Sequence, residues 1–120
     1  MRILYVEDNT PNFQLVQRIL GHDGHDVIHA PDGNAALEEA ARRRPDLVLM
    51  DLGLPGMDGY QTARRLRQLP GTTGLPIAAL TASVRDADRA KAKEEGFAGF
   101  IEKPFRMDVL RKEVQRLLRT

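Results

Sequence analysis

Short apolar runs and helically spaced apolar stripes alternate along the chain. Ile3-Leu4-Tyr5-Val6 is a continuous apolar run of strand length. Phe13, Val16, Ile19 and Leu20 then recur at the spacing of one helix face, which runs to Gly21 with Pro11 in its first turn. Val27-Ile28 marks a second strand. Ala36, Leu37, Ala40 and Ala41 stripe the next helix behind a cap at Asp32. Leu47-Val48-Leu49-Met50 is a third strand ending at Asp51, followed by a helix carrying Tyr60, Ala63 and Leu66. Ile77-Ala78-Ala79-Leu80 is a fourth strand ending at Thr81. Residues 84–95 predict a helix whose apolar side holds only Val84, Ala87 and Ala90. Phe100-Ile101 is a fifth strand, and Leu110, Val114, Leu117 and Leu118 stripe a last helix. The prolines fall between these segments or at their first residues, where a missing N–H does least harm.

Five strands alternate with five helices, and the strands are solid apolar runs rather than alternating ones. That pattern calls for a parallel sheet covered on both faces. Five strands are too few for a closed eight-stranded barrel. The expected fold is therefore α/β, an open doubly wound sheet in the order 2-1-3-4-5. With 120 residues the chain fits one domain, 1–120, and no output domain is expected within it. Cysteine is absent, which removes disulfides, thiolate metal sites and cysteine nucleophiles. Eighteen Lys and Arg against 17 Asp and Glu leave a net charge of +1, a poor basis for bulk attraction to nucleic acid. No apolar run approaches the roughly 18–20 residues of a membrane span. Glu7-Asp8 follows the first apolar run at once, unlike a secretory signal. These features lead to the expectation of a soluble cytoplasmic domain.

Ligands of open parallel sheets bind beyond the carboxyl ends of the strands, where the winding reverses. In this strand order that point lies between strands 1 and 3, which end in Glu7-Asp8 and Asp51. Each close pair of carboxylates there would repel by about 4 kcal/mol at ~4 Å and an effective dielectric near 20. Such a cluster needs a cation, or one member must take a proton. Hard oxygen ligands with open positions suit Mg²⁺. Thr81 and Lys103, at the ends of strands 4 and 5, add a hydroxyl and an ammonium. A nucleophilic carboxylate, a metal, a hydroxyl and a lysine together make a phosphoryl-transfer site, with Asp51 attacking in line.

Over essentially its whole length the chain resembles the receiver domain of two-component response regulators, a flavodoxin-like (βα)5 fold. Val6-Glu7-Asp8-Asn9, the run Asp46 to Asp51 and Leu54-Pro55-Gly56-Met57-Asp58-Gly59 carry the resemblance. So do Thr81-Ala82, Phe100 and Lys103-Pro104-Phe105. The resemblance implies that Asp51 accepts a phosphoryl group from a phosphohistidine on a histidine kinase or histidine phosphotransfer protein. It implies Mg²⁺, for which Mn²⁺ could substitute, bound by Asp8, Asp51 and the Gly53 carbonyl, with Glu7 acting through water. Thr81 and Lys103 would hold phosphoryl oxygens, and Phe100 would be the aromatic switch residue that packs inward as Thr81 moves. A cis peptide between Lys103 and Pro104 is implied as well. Gly53 and Ser83 would border the path of hydrolytic water and tune the lifetime of the phosphoryl group. A downstream protein target would read the face of helix 4, strand 5 and helix 5. No direct nucleic-acid contact or membrane insertion is implied, and the state expected is a monomer or a weak phosphorylation-dependent dimer.

Other signals carry less. His22, His25 and His29 predict surface turn residues rather than a zinc site. Gly53, Gly56 and Gly59 lack the G-x-G of a dinucleotide loop; turn formation, and close backbone approach at Gly53, explain them. Arg42-Arg43-Arg44 predicts a solvated helix end. Three further functions share this residue set. A Mg²⁺-dependent phosphohydrolase would need a general acid two residues past Asp51, where Gly53 stands. A flavin or nucleotide binder would need a phosphate cradle where Glu7-Asp8-Asn9 stands. The third is an unphosphorylated interaction module.

Overall fold

The computed structural model describes residues 1–52, 59–72, 74–82 and 85–119. Among the described residues strands and helices alternate: β1 (Arg2–Val6), α1 (Thr10–His22), β2 (Asp26–Ala30), α2 (Gly33–Arg43) and β3 (Leu47–Asp51). The second half continues with α3 (Gly59–Gln68), β4 (Ile77–Thr81), α4 (Asp86–Glu94), β5 (Gly99–Glu102) and α5 (Met107–Leu118). All strand pairs are parallel, in the order β2-β1-β3-β4-β5. Every residue of the central strand β3 is buried, as helices on both faces demand of an apolar run.

Alternation along the strands divides the core in two. Ile3, Tyr5, Leu47, Leu49, Leu80 and Ile101 face α1 and α5, where Phe13, Val16, Leu110 and Val114 meet them. Leu4, Val6, Val48, Met50 and Ala79 face α2, α3 and α4 through Ala36, Ala63, Leu66 and Ala92. Asn9 caps α1 by accepting from the Asn12 amide at 2.9 Å, and Asp32 caps α2 by accepting from the Ala35 amide at 2.8 Å. Arg44 ends α2 in the left-handed region at φ 47°, exposed together with Arg42 and Arg43. Arg111 on α5 forks onto Asp23, the residue capping the end of α1, with bonds of 2.8 and 2.6 Å.

Three sequence expectations need correction. Helix α4 spans Asp86–Glu94, and its buried residue is Ala92, while Ala87 and Ala90 are exposed. Val84 lies outside the described residues. An alanine-rich helix has too little apolar contrast to set its own rotation. Docking beside Phe97 selects the face instead. For the same reason Ala41 of α2 is exposed and Leu37 only half-buried. Of the three histidines only His22 is exposed. His29 stacks on Phe13 with ring centroids 4.2 Å apart, and its Nε2–H donates to the Glu7 carbonyl at 2.7 Å. His25 is half-buried, and burial pushes its imidazole below the ordinary range.

Candidate functional site

Strand register gathers the acids. β1 and β3 pair Val6 with Met50, so the next residues, Glu7 and Asp51, stand side by side at the carboxyl edge. The Glu7 amide donates to the Ala30 carbonyl at 2.9 Å, which carries the β1–β2 pairing one residue beyond the strand. Glu7, Asp8 and Asp51 each offer a carboxylate oxygen within 4.8 Å of the others. Their exposures differ sharply: Glu7 is 1% and Asp51 7% exposed, whereas Asp8 lies open to solvent.

Lys103 reaches this group from the far side of the sheet edge. Its amide donates to the Thr81 carbonyl at 2.8 Å, continuing the β4–β5 pairing. Its Nζ donates to Asp51 Oδ2 at 3.0 Å and to Glu7 Oε2 at 3.1 Å. The Lys103–Pro104 peptide bond is cis. Thr81, half-buried, ends β4 one position beyond Leu80, the partner of Asp51. Phe100 is half-buried against the core shared by α2, α3 and α4, with the Arg89 guanidinium 4.9 Å above its ring. Gly53 and Ser83, with Leu54, Pro55, Gly56, Met57 and Asp58, lie outside the described residues.

Burial first, and the adjoining Asp51 carboxyl second, push Glu7 above the usual carboxylate range, while Asn12 and Lys103 pull it back. Burial works against the Lys103 ammonium, but its bonds to Asp51 and Glu7 outweigh that and hold it above its ordinary value. The site is thus an acid cluster with one ammonium already inside it. Among the described residues the donor set is all carboxylate oxygen, with one acid open to water. That chemistry fits a hard divalent cation such as Mg²⁺ and offers nothing to a soft one.

Sequence reasoning missed two residues. Asn12, in the first turn of α1, donates from Nδ2 to Glu7 Oε1 at 2.9 Å and so ties the capped helix start to the acid. A polar residue three positions after Asn9, behind Pro11, was the only signal. Tyr5 was read as a strand hydrophobe, yet its hydroxyl is buried on the same sheet face as Glu7.

Close backbone approach is observed at Gly59; the approach expected at Gly53 lies outside the described residues. A Cβ built on Gly59 would stand 2.7 Å from Leu52 Cδ2 and 3.2 Å from the Asp51 carbonyl oxygen. The leucine tip can turn aside; the carbonyl cannot. Gly59→Ala is therefore expected to push α3 off the end of β3, at a cost of about 1–2 kcal/mol. Urea unfolding reads the cost, and an unchanged midpoint would contradict it.

The family model for the response regulator receiver domain matches residues 3–115. Response regulator PleD of Caulobacter vibrioides is 37% identical over 118 residues, which are 98% of this chain and 26% of PleD. Protein PilH of Pseudomonas aeruginosa is 30% identical, with 98% of this chain and 97% of PilH covered. Chemotaxis protein CheY4 of Vibrio cholerae superposes with a TM-score of 0.92 at 31% identity, covering 98% of each chain. The receiver domain of a Pseudomonas aeruginosa sensor histidine kinase, solved with magnesium coordinated in its active site cleft, gives 0.89 at 35% identity over 99% of this chain and 98% of that one. The chain belongs to the response regulator receiver domains, the phospho-accepting switches of two-component signalling. It spans about a quarter of PleD but nearly all of PilH.

Proposed function

We propose that Asp51 is the phosphoacceptor of this receiver. The observation that carries the proposal is Asp51 at the switch point of the sheet, 3.0 Å from an ammonium and within reach of two further carboxylates. A phosphohistidine of a kinase or phosphotransfer protein supplies the group: its P–N bond breaks as a P–O bond to Asp51 forms, and the electron pair leaves on the imidazole. Asp8 and Asp51, with the Gly53 carbonyl, would hold Mg²⁺, and Glu7 would act through water. Bound there, the ion would neutralise charge on the transferring oxygens. Lys103 pairs with the phosphoryl oxygens, and the Thr81 hydroxyl donates to another. Domain 1–120 acts as a switch rather than a turnover enzyme on an outside substrate.

Incubation with Mg²⁺ and a small phosphodonor, followed by intact-mass measurement, tests the assignment. Wild-type protein should gain one phosphoryl group and Asp51→Asn none. A variant that still gains one moves the acceptor elsewhere.

The readout follows from how α4 is held. Ala92 is its buried residue, and electrostatic contacts flank it: Lys91 Nζ 4.5 Å from the Tyr60 ring, Arg89 over Phe100, and Arg64 to Glu95, just past the helix, at 3.0 and 2.5 Å. Such surface contacts contribute well under what a buried leucine does. Elements that move are drawn from the weakly held end of a fold. Phosphorylation would bias this element through Thr81 and Phe100, and a downstream protein would read the face of α4, β5 and α5. Hydrogen exchange should change most within residues 85–105 on adding beryllofluoride. Changes confined to α1 and α2 would refute this.

A further inference from the structure

Tyr5 is fully buried, and among the described residues its hydroxyl has no hydrogen-bond partner. Phenylalanine would fill the same volume without burying an unsatisfied polar atom. The position of the hydroxyl is specific. Tyr5 stands opposite Leu49 in the β1–β3 register, and its side chain leaves the sheet on the face used by Glu7 and Asp51, two residues further on. The Phe13 ring of α1 packs beside it, tilted, with ring centroids 6.3 Å apart. The phenol is held above its ordinary range by burial first, then by the charges of Glu7 and Asp51. A phenol is neutral at ordinary pH, so this hydroxyl is a donor on the sheet face that carries both acids.

Glu7 explains why such a donor matters. Its Oε2 is satisfied by Lys103, its Oε1 by Asn12, and it is 1% exposed. If Asp51 carries a phosphoryl group, the new oxygens compete for the Lys103 ammonium. Glu7 then loses one of the two side-chain donors that the described residues give it, at a depth where an underpaired carboxylate is costly.

We propose that Tyr5 is a positioning residue whose hydroxyl donates to the Glu7 carboxylate, directly or through one buried water, when Lys103 turns to the phosphoryl group. The hydroxyl would be idle in the resting domain and engaged in the activated one, so it favours the activated state. The inference rests on the reading of Asp51 as phosphoacceptor.

The chain has two tyrosines and no tryptophan, so Tyr60→Phe leaves Tyr5 as the sole tyrosine chromophore. In that background, Mg²⁺ with beryllofluoride should shift the near-ultraviolet phenol absorption to the red, the signature of a donating hydroxyl. Mg²⁺ alone should leave it unchanged. Tyr5→Phe should leave the resting protein at least as stable to urea, yet weaken beryllofluoride binding about fivefold, the loss expected for one hydrogen bond. A Glu7→Ala background should abolish that fivefold difference. An unmoved spectrum, a full shift with Mg²⁺ alone, equal beryllofluoride affinity, or a difference that survives Glu7→Ala would each overturn the role of Tyr5. In those cases Asp51 would still gain its phosphoryl group by mass. A wild-type protein that neither binds beryllofluoride nor gains mass would overturn the phosphoacceptor reading and this inference together.

Discussion

Replacing Lys103 with alanine is expected to slow phosphoryl uptake about a hundredfold, the usual cost of deleting one preorganised charge partner at a reacting group. The same change alters stability in a pH-dependent way. Two largely buried carboxylates lose the cation that holds them at 3.0 and 3.1 Å. Breaking such a pair from one side costs about 3 kcal/mol when the acids remain charged. Glu7 can relieve the cost by taking a proton, because burial and Asp51 already hold its pKa high and the opposing pull of Lys103 is gone. A carboxyl whose folded pKa exceeds its unfolded value contributes stability below the unfolded pKa and loses it as pH rises through the folded one. The deficit of Lys103→Ala should therefore be small where free carboxyls are protonated and grow as pH rises above the ordinary carboxylate range. Mg²⁺ should restore more stability to the variant than to wild type, since the ion then meets no competing ammonium. Asp8→Asn, which removes the solvent-facing acid, should weaken that rescue. Urea unfolding over a pH series, with and without Mg²⁺, measures all of this. A deficit independent of pH would show that Lys103 does not hold the acids.

Leu110→Ala should have the largest effect on the fold itself. Leu110 is fully buried where α5 meets the face formed by Leu80 and Ile101, and truncation leaves a cavity among fixed neighbours. The expected loss is about 3–4 kcal/mol, a large share of the roughly 5–15 kcal/mol that holds a domain together. Val109, its chain neighbour, is 47% exposed and provides the control. Val109→Ala should stay within about 0.5 kcal/mol. Equal losses in the two variants would mean that α5 is not seated by its Leu110 face.

Gly59→Ala and Leu110→Ala probe different supports of the same site. The first crowds the Asp51 carbonyl from the start of α3, where a Cβ would stand 3.2 Å from it. The second loosens α5, whose Arg111 also ties it to the end of α1. Leu110→Ala should lower stability while leaving Mg²⁺ affinity near wild type, because the acids sit on β1 and β3 rather than on α5. Only the first should lower phosphoryl uptake per folded molecule.

The sequence by itself determined the alternation of elements, the strand order and the gathering of Glu7, Asp8 and Asp51. Apolar runs of strand length can be buried only between two helical layers, and the winding rule then fixes which strand ends share a crevice. The cap at Asp32 was legible too, because its side chain acts on the backbone three residues on. What tertiary structure alone decided involves contacts distant in sequence, or choices on which local pattern is silent. Lys103 bridges Glu7 and Asp51 across 96 and 52 positions of chain. Asn12 turns to Glu7 only because α1 starts where it does. The rotation of α4 onto Ala92 was undetermined because alanines on every side give no apolar contrast. Gly59 meets the Asp51 carbonyl because helix packing sets that distance. Tyr5 reads as one more apolar residue in a strand. Its buried, unpartnered hydroxyl takes meaning only from the acids that the fold sets on the same face.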